Sequence, residues 1–192
     1  TCIFLMLTDS VRRTKGPHWD LTTLWTIHAF ATPELDRVFL FVTNLGSIVG
    51  VGLITFGLAL MLCWVHRSHD ALFLVTAVSG ALLLNLFIKY LFHRARPGLW
   101  LSPVAVYNFS FPSGHAMGSF TLAVALIIIF WSTHRRYLVA VLGSIFALAI
   151  GLSRLYLGVH YPTDVIGAWA ISLAWVTALR LGFRGIFSSN RK

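Results

Sequence analysis

Three short stretches of a very apolar chain hold the groups able to act on an anion: KYLFHRARP at 89–97, FPSGH at 111–115 and SRLYLGVHYPTD at 153–164. In the third, His160 and Asp164 stand four residues apart, with Pro162 between them to start a helix. That spacing lets the carboxylate accept from one imidazole nitrogen, which fixes the tautomer and leaves the other nitrogen free as a nucleophile. In the second, Ser113 is a natural helix N-cap, and Gly114 lets a ligand approach the backbone. Free N–H groups at such a helix start make an anion site, and His115 falls on the first turn facing it. In the first, Lys89 and Arg96 are seven residues apart, so a continuing helix would put them on one side, about 10 Å apart. Pro97 disfavours helix at Arg96 and places that arginine at the exit, where it can swing toward a ligand. Arg154 adds a third cation. Three cations, two histidines, one carboxylate and a helix N-terminus suit phosphoryl transfer, where catalysis is mainly positioning and charge stabilisation.

The elements that must bring these stretches together are membrane helices. Of the 192 residues 57% are hydrophobic and 11% charged, and the mean hydropathy is +0.80, beyond an ordinary soluble core. A crossing needs about 20 mostly apolar residues. No charge falls between Arg37 and His66, and further spans are predicted over 71–92, 115–131, 137–157 and 163–183. The opening TCIFLML reads as the tail of a longer first helix. The expected fold is therefore all-α: an integral membrane bundle of six transmembrane helices, the first largely truncated, forming one domain over 1–192. The mixed polarity of 17–36 predicts a short helix lying in the membrane interface.

Alternation of spans puts the loops 66–70 and 132–137 and the C-terminal tail on one side, with Trp64 and Trp131 as interface anchors. The three motifs emerge on the other. Seven of the Lys and Arg residues lie on the first side, which the positive-inside rule assigns to the cytoplasm. The motifs then face the periplasm or cell exterior. The net charge of +9 is explained mainly by these loops; its cations form no dense basic face, so no nucleic-acid partner is expected. Cys2 and Cys63 form neither a disulfide framework nor a metal site.

The three stretches also carry a resemblance. K-x6-R-P at Lys89–Pro97, P-S-G-H at Pro112–His115 and S-R-x5-H-x3-D at Ser153–Asp164 resemble, complete and in order, the signature of the type 2 phosphatidic acid phosphatase (PAP2) superfamily. The likeness runs from about residue 20 to 183. It implies a bacterial membrane phosphatase in which His160 attacks phosphorus to form a phosphohistidine and Asp164 orients it. His115 would protonate the leaving oxygen. Lys89, Arg96 and Arg154 would clamp the phosphate, with Ser113 and the Gly114 N–H adding hydrogen bonds. No metal or other cofactor is expected, because two-metal sites need several carboxylates and only Asp164 lies near the motifs. The implied partners are membrane lipids and a lipid phosphate or diphosphate substrate, with no obligate protein partner. Undecaprenyl diphosphate, phosphatidylglycerophosphate and phosphatidic acid are the candidates, met at the outer face of the cell (inner) membrane. The alternatives are a lipid phosphotransferase using the same site and a non-catalytic lipid-binding membrane protein. Vanadate-dependent haloperoxidases share the motifs, but their solubility sets them apart.

Nearby residues are given other expectations. His93 and Arg94 are read as interface residues, and Asn85 as the donor of an interhelical hydrogen bond. Trp100 and Tyr107 shape lipid entry or anchor the loop at the interface, and Arg12, Arg13 and Lys15 attract anionic lipids.

Overall fold

A computed structural model describes residues 17–100, 102, 104 and 108–189. The opening apolar segment, Arg12, Arg13, Lys15 and Tyr107 lie outside the described residues. Among the described residues every regular element is a helix: α1 (His18–His28), α2 (Pro33–Leu45), α3 (Ile48–Trp64), α4 (Ser68–Phe92), α5 (Gly114–Phe130), α6 (Arg136–Tyr156) and α7 (Pro162–Ser189). By length and composition α4, α6 and α7 can each cross a membrane, and α2 with α3 passes the same test only as a pair, bent by 51° at the break between them. The expected all-helical membrane bundle is the observed architecture.

The bend falls inside the uncharged run that the sequence reads as one uninterrupted span. Gly46 closes α2, and the Ser47 hydroxyl accepts the Gly50 N–H at 3.0 Å to cap α3. Counting apolar residues is blind to this, because a serine that caps a new helix carries no charge. The glycine has a packing reason as well: a Cβ at Gly46 would sit 2.5 Å from Ile150 Cγ2. The elbow thereby rests directly on α6. The interfacial segment also differs from expectation. Only His18–His28 form the separate helix; Pro33 already opens α2, with the Thr32 hydroxyl accepting the Leu35 N–H at 3.3 Å. Residues 33–36 therefore belong to the bent span, where Asp36 accepts the Tyr156 hydroxyl at 2.8 Å and ties α2 to α6.

Helix α5 has 17 residues, about 25 Å at 1.5 Å per residue, and is shorter than a hydrocarbon core of about 30 Å. It is also the most enclosed helix. Ala116, Gly118, Ser119, Ala123 and Ala125 are buried along it, and their small side chains let α4, α6 and α7 close around it. Two polar ties fix α7 in this packing: Ser172 Oγ donates to Met117 O at 3.1 Å and Trp175 Nε1 to Ala77 O at 2.9 Å. At the far end of the bundle Arg67 pairs with Asp70 at 2.7 Å and donates to Ile129 O at 3.0 Å, near the exposed Trp64 and Trp131. The opposite end gathers the C-termini of α4 and α6 and the N-termini of α5 and α7, with α1 packed on α6 and α7.

The pinned Trp175 ring gives a test of this packing. A Cβ at Gly80 would approach its Cζ2 to 2.3 Å, whereas one at Gly57 would meet nothing within 4 Å. Gly80→Leu should therefore lower the melting temperature in detergent, at a cost of about 1–3 kcal/mol. Gly57→Ala should leave it unchanged or slightly raised.

Candidate active site

The site starts where α4 stops. His93 adopts φ 45°, a left-handed C-cap, and the chain leaves the helix after Phe92. Arg96 is therefore not two turns along α4 from Lys89, as a continuing helix would have it. Departure from the helix is what lets it reach across the site. Its Nη1 donates to Val159 O at 2.7 Å and lies 3.1 Å from His160 Nε2. Its Nε and Nη2 donate to Asn108 O at 2.7 Å and Asn108 Oδ1 at 2.6 Å.

A guanidinium can only donate, so the Nε2 of His160 is the unprotonated nitrogen in this contact. The proton then sits on Nδ1, which faces Asp164 Oδ2 at 3.3 Å and Ser110 Oγ at 3.4 Å. The same carboxylate oxygen accepts the Ser110 hydroxyl and the Tyr161 N–H, the latter at 2.9 Å. Asp164, on the first turn of α7, thus makes the i, i+4 contact expected from the spacing. Burial pushes the His160 imidazole down to about 3, with Asp164 pulling in the opposite direction. The ring is neutral at ordinary pH, with Nε2 as its unprotonated nitrogen.

Three cations surround this pair. Lys89, 5% exposed, donates to Phe109 O. Arg154, 2% exposed, donates to Thr43 Oγ1, and among the described residues its Nε has no hydrogen-bond partner. Lys89, Arg96 and Arg154 lie close enough for their charges to act on one another and on half-buried His115. Among the described residues no carboxylate comes within ion-pair distance of any of the three. Asp164 is nearby but is paired with Arg94. The second motif closes the ring. Ser113 caps α5 by accepting the Ala116 N–H at 3.5 Å, and its own N–H donates to Asp164 O at 3.2 Å. Asn85 Nδ2 donates to Pro112 O at 3.1 Å, the interhelical bond expected of it, and a Cβ on Gly114 would lie 3.1 Å from Asn85 Oδ1. The structure therefore brings together Lys89, Arg96, Ser113, Gly114, His115, Arg154, His160 and Asp164 at one end of the bundle.

Arg94 overturns its sequence reading. It is no interface residue: it is 6% exposed, lies under the Tyr161 ring at 4.0 Å, and ion-pairs with both Asp164 and Asp20. Its neighbour His93 is exposed, with its ring edge-on to Phe109 at 4.4 Å. Sequence reasoning also missed Asp20, Ser110, Thr163 and Thr43. A faint signal existed for Asp20, one of only six acids in a strongly basic chain, because a buried arginine needs a partner. Ser110 and Thr43 carry no such signal. Trp100 has a packing role, stacked on His28 at 3.9 Å and lying so close to Gly158 that a Cβ there would come within 2.5 Å of its ring. Beside the site a cavity of about 490 Å³ is lined by Lys89, Arg94 and Arg96 together with Leu86 and Tyr90 from the outer flank of α4. Among the described residues no three His, Cys, Asp or Glu side chains gather as metal ligands.

Fold and site together define a helical membrane protein built round a buried His–Asp pair in a ring of cations. The sequence model of the PAP2 superfamily matches residues 70–186, and the chain belongs to that family. It is 30% identical over 156 residues to phosphatidylglycerophosphatase B of Bacillus subtilis, covering 73% of this chain and 71% of that protein. It is 32% identical over 126 residues to an undecaprenyl-diphosphatase of Sulfolobus acidocaldarius, covering 63% of this chain and 58% of that one. The crystal structure of a transmembrane PAP2-type phosphatidylglycerolphosphate phosphatase from Bacillus subtilis shares the fold, with a TM-score of 0.86 at 24% identity over 96% of this chain and 93% of that one. LpxE of Aquifex aeolicus aligns with a TM-score of 0.71 at 26% identity over 86% of this chain and 97% of the other. The expectation of a PAP2-type phosphatase stands.

The neutral burial of His160 has a measurable sign. Its folded-state value of about 3 lies below the ordinary 6.5, so between those pH values the unfolded chain binds more protons. That stabilisation is complete above pH 6.5 and is lost as pH falls toward 3. The melting temperature in detergent should drop on acidification from about pH 7 to 4, and the drop should be shallower in His160→Gln.

Proposed function

We propose that the chain hydrolyses a lipid phosphate or diphosphate without a metal, through a phosphohistidine on His160, at the extracytoplasmic face of the cell membrane. One observation carries this reading. The unprotonated Nε2 of His160 lies beside Arg96, in a cluster that Arg154 and Lys89 complete, and among the described residues these three cations are held by neutral acceptors and by no carboxylate. A phosphate group supplies the missing negative charge and sets phosphorus against that nitrogen.

In the first step the Nε2 lone pair forms a bond to phosphorus while the bond from phosphorus to the leaving oxygen breaks. His115 donates the proton that the leaving oxygen takes up. The Nδ1 proton stays on the imidazole, whose new positive charge faces Asp164. In the second step water loses a proton to His115, its oxygen bonds to phosphorus and the P–N bond breaks. This returns neutral His160 and releases phosphate. Throughout, Lys89, Arg96 and Arg154 hold the equatorial oxygens, helped by Ser113 and the Gly114 N–H at the start of α5.

A lipid substrate is supported by the cavity beside the cations, which has Leu86 and Tyr90 on its apolar flank, with Tyr90 70% exposed on the outside of α4. Relatives named for phosphatidylglycerophosphate and undecaprenyl diphosphate support the same class, and with phosphatidic acid these remain the candidate substrates. The extracytoplasmic assignment is supported by the cationic loops 66–70 and 132–137 at the opposite end of the bundle.

Purified protein in detergent, assayed on a panel of lipid mono- and diphosphates, should release phosphate in the presence of excess EDTA. His160→Ala should lose at least a thousandfold in turnover, together with the acid-labile label that a phosphate-labelled lipid leaves on the wild-type chain. Full activity in His160→Ala, or activity that EDTA removes and magnesium restores, would overturn the proposal.

A further inference from the structure

Outside the residues of the proposed mechanism, the buried carboxylate of Asp20, on α1 and fifty residues before the family-matched segment begins, is held by three hydrogen bonds. It is 1% exposed. Its Oδ1 accepts the Thr163 N–H at 3.0 Å; its Oδ2 accepts the Thr163 hydroxyl at 2.6 Å and Arg94 Nη2 at 2.8 Å. Arg94 Nη1 in turn donates to Thr163 Oγ1 at 2.7 Å and to Asp164 Oδ1. One guanidinium thus bridges two buried carboxylates, and one of them carries the bond to His160.

From this geometry we infer that Asp20 is a positioning residue for the His160–Asp164 pair, acting through Arg94 and the first turn of α7. The inference rests on the proposed attack by His160. Two physical effects support it. The first is capping. Tyr161, which precedes α7, has no side-chain oxygen in reach of the backbone donors of that first turn, so the helix start carrying Asp164 needs an acceptor from elsewhere. Asp20 supplies it from 143 residues away and so fixes where Asp164 points. The second is charge division. Asp164 uses Oδ1 for Arg94 and Oδ2 for His160, Ser110 and Tyr161. With Asp20 in place, the charge of Arg94 is shared between two carboxylates. Without it the whole cation would fall on Asp164, which would then offer less to the positive imidazole formed when His160 takes phosphorus. Neither effect involves Lys89, Arg96 or Arg154, so the loss belongs to the chemical step and not to phosphate binding.

The test compares wild type with Asp20→Asn, which preserves shape while removing the charge, using whichever lipid phosphate the panel shows to be turned over. A fall in kcat of tenfold or more, with KM and the inhibition constant of inorganic phosphate both within twofold of wild type, is the expected result. A kcat within threefold of wild type overturns the inference. So does a loss in which kcat falls while KM and the phosphate inhibition constant rise in parallel, since that describes general loosening of the site. Should Asp20→Asn fail to fold, Thr163→Val removes the hydroxyl that accepts from Arg94 and donates to Asp20, which loosens the pair while keeping their direct contact. It should lower kcat three- to tenfold at unchanged KM, and an unchanged kcat there overturns the inference as well. The parent reading fails separately, on full activity of His160→Ala.

Discussion

Everything at the working end of this bundle answers to one constraint: positive charge held out of water without negative charge to match it. Lys89, Arg96 and Arg154 crowd around one neutral imidazole, and the nearest carboxylate is paired with a different arginine. Two like charges about 6 Å apart repel by about 3 kcal/mol at an effective dielectric of about 20. The fold resists that repulsion by the choice of acceptor. The donors of Lys89 and Arg96 meet the backbone oxygens of Phe109, Val159 and Asn108, and Arg154 meets the Thr43 hydroxyl. Neutral acceptors satisfy hydrogen bonds while leaving the charge uncancelled. What remains unsatisfied is electrostatic, and a phosphate carries the compact multiple charge that would satisfy it.

The architecture follows from holding such a cluster in place. Each cation comes from a different element: Lys89 from the last turn of α4, Arg96 from the segment after it, and Arg154 from the last turn of α6. Packing of α4, α6 and α7 round the small residues of α5 supplies the apolar burial that offsets their mutual repulsion. A short α5 contributes its N-terminus with Ser113 and His115 at the same level, and its 17 residues cannot cover a full hydrocarbon core. Low-dielectric walls then strengthen every charge interaction at that depth.

How much of this could be read from the sequence depends on the range of the interaction. Caps and helix starts are local, so Ser113 opening α5, Pro162 opening α7 and the His160–Asp164 contact are legible from a few residues each. Spans are legible from the spacing of charges. Whatever is decided by a distant partner is not. The place of Arg96 depends on its reaching Val159 O, 63 residues on, and the elbow at Gly46–Ser47 lies in close contact with Ile150. Arg94 departs from its expected place for the same reason: its position at a span end fits an interface residue, but Asp20 of α1 and Tyr161, Thr163 and Asp164 enclose it. The sequence contains Asp20 but gives no rule for bringing it 74 residues along the chain to Arg94.

Arg94 and Arg96, two residues apart, show what separates a structural cation from one left open for a ligand. Both are largely enclosed guanidiniums on the same loop, and both reach the segment that carries the histidine. Arg94 has carboxylates on both sides, Asp20 and Asp164, so its charge is spent within the fold, and removing Arg94 would leave two buried carboxylates without their shared cation at a cost of about 3–5 kcal/mol. Among the described residues Arg96 meets the backbone carbonyls of Asn108, Phe109 and Val159, the Asn108 side-chain amide and the imidazole nitrogen, so no carboxylate pairs its charge. A motif that names the second arginine and ignores the first therefore records the half of the loop whose charge no carboxylate pairs. The other half aligns the carboxylate, and it does so with an acid drawn from outside the matched region, where a signature built on local spacing cannot reach.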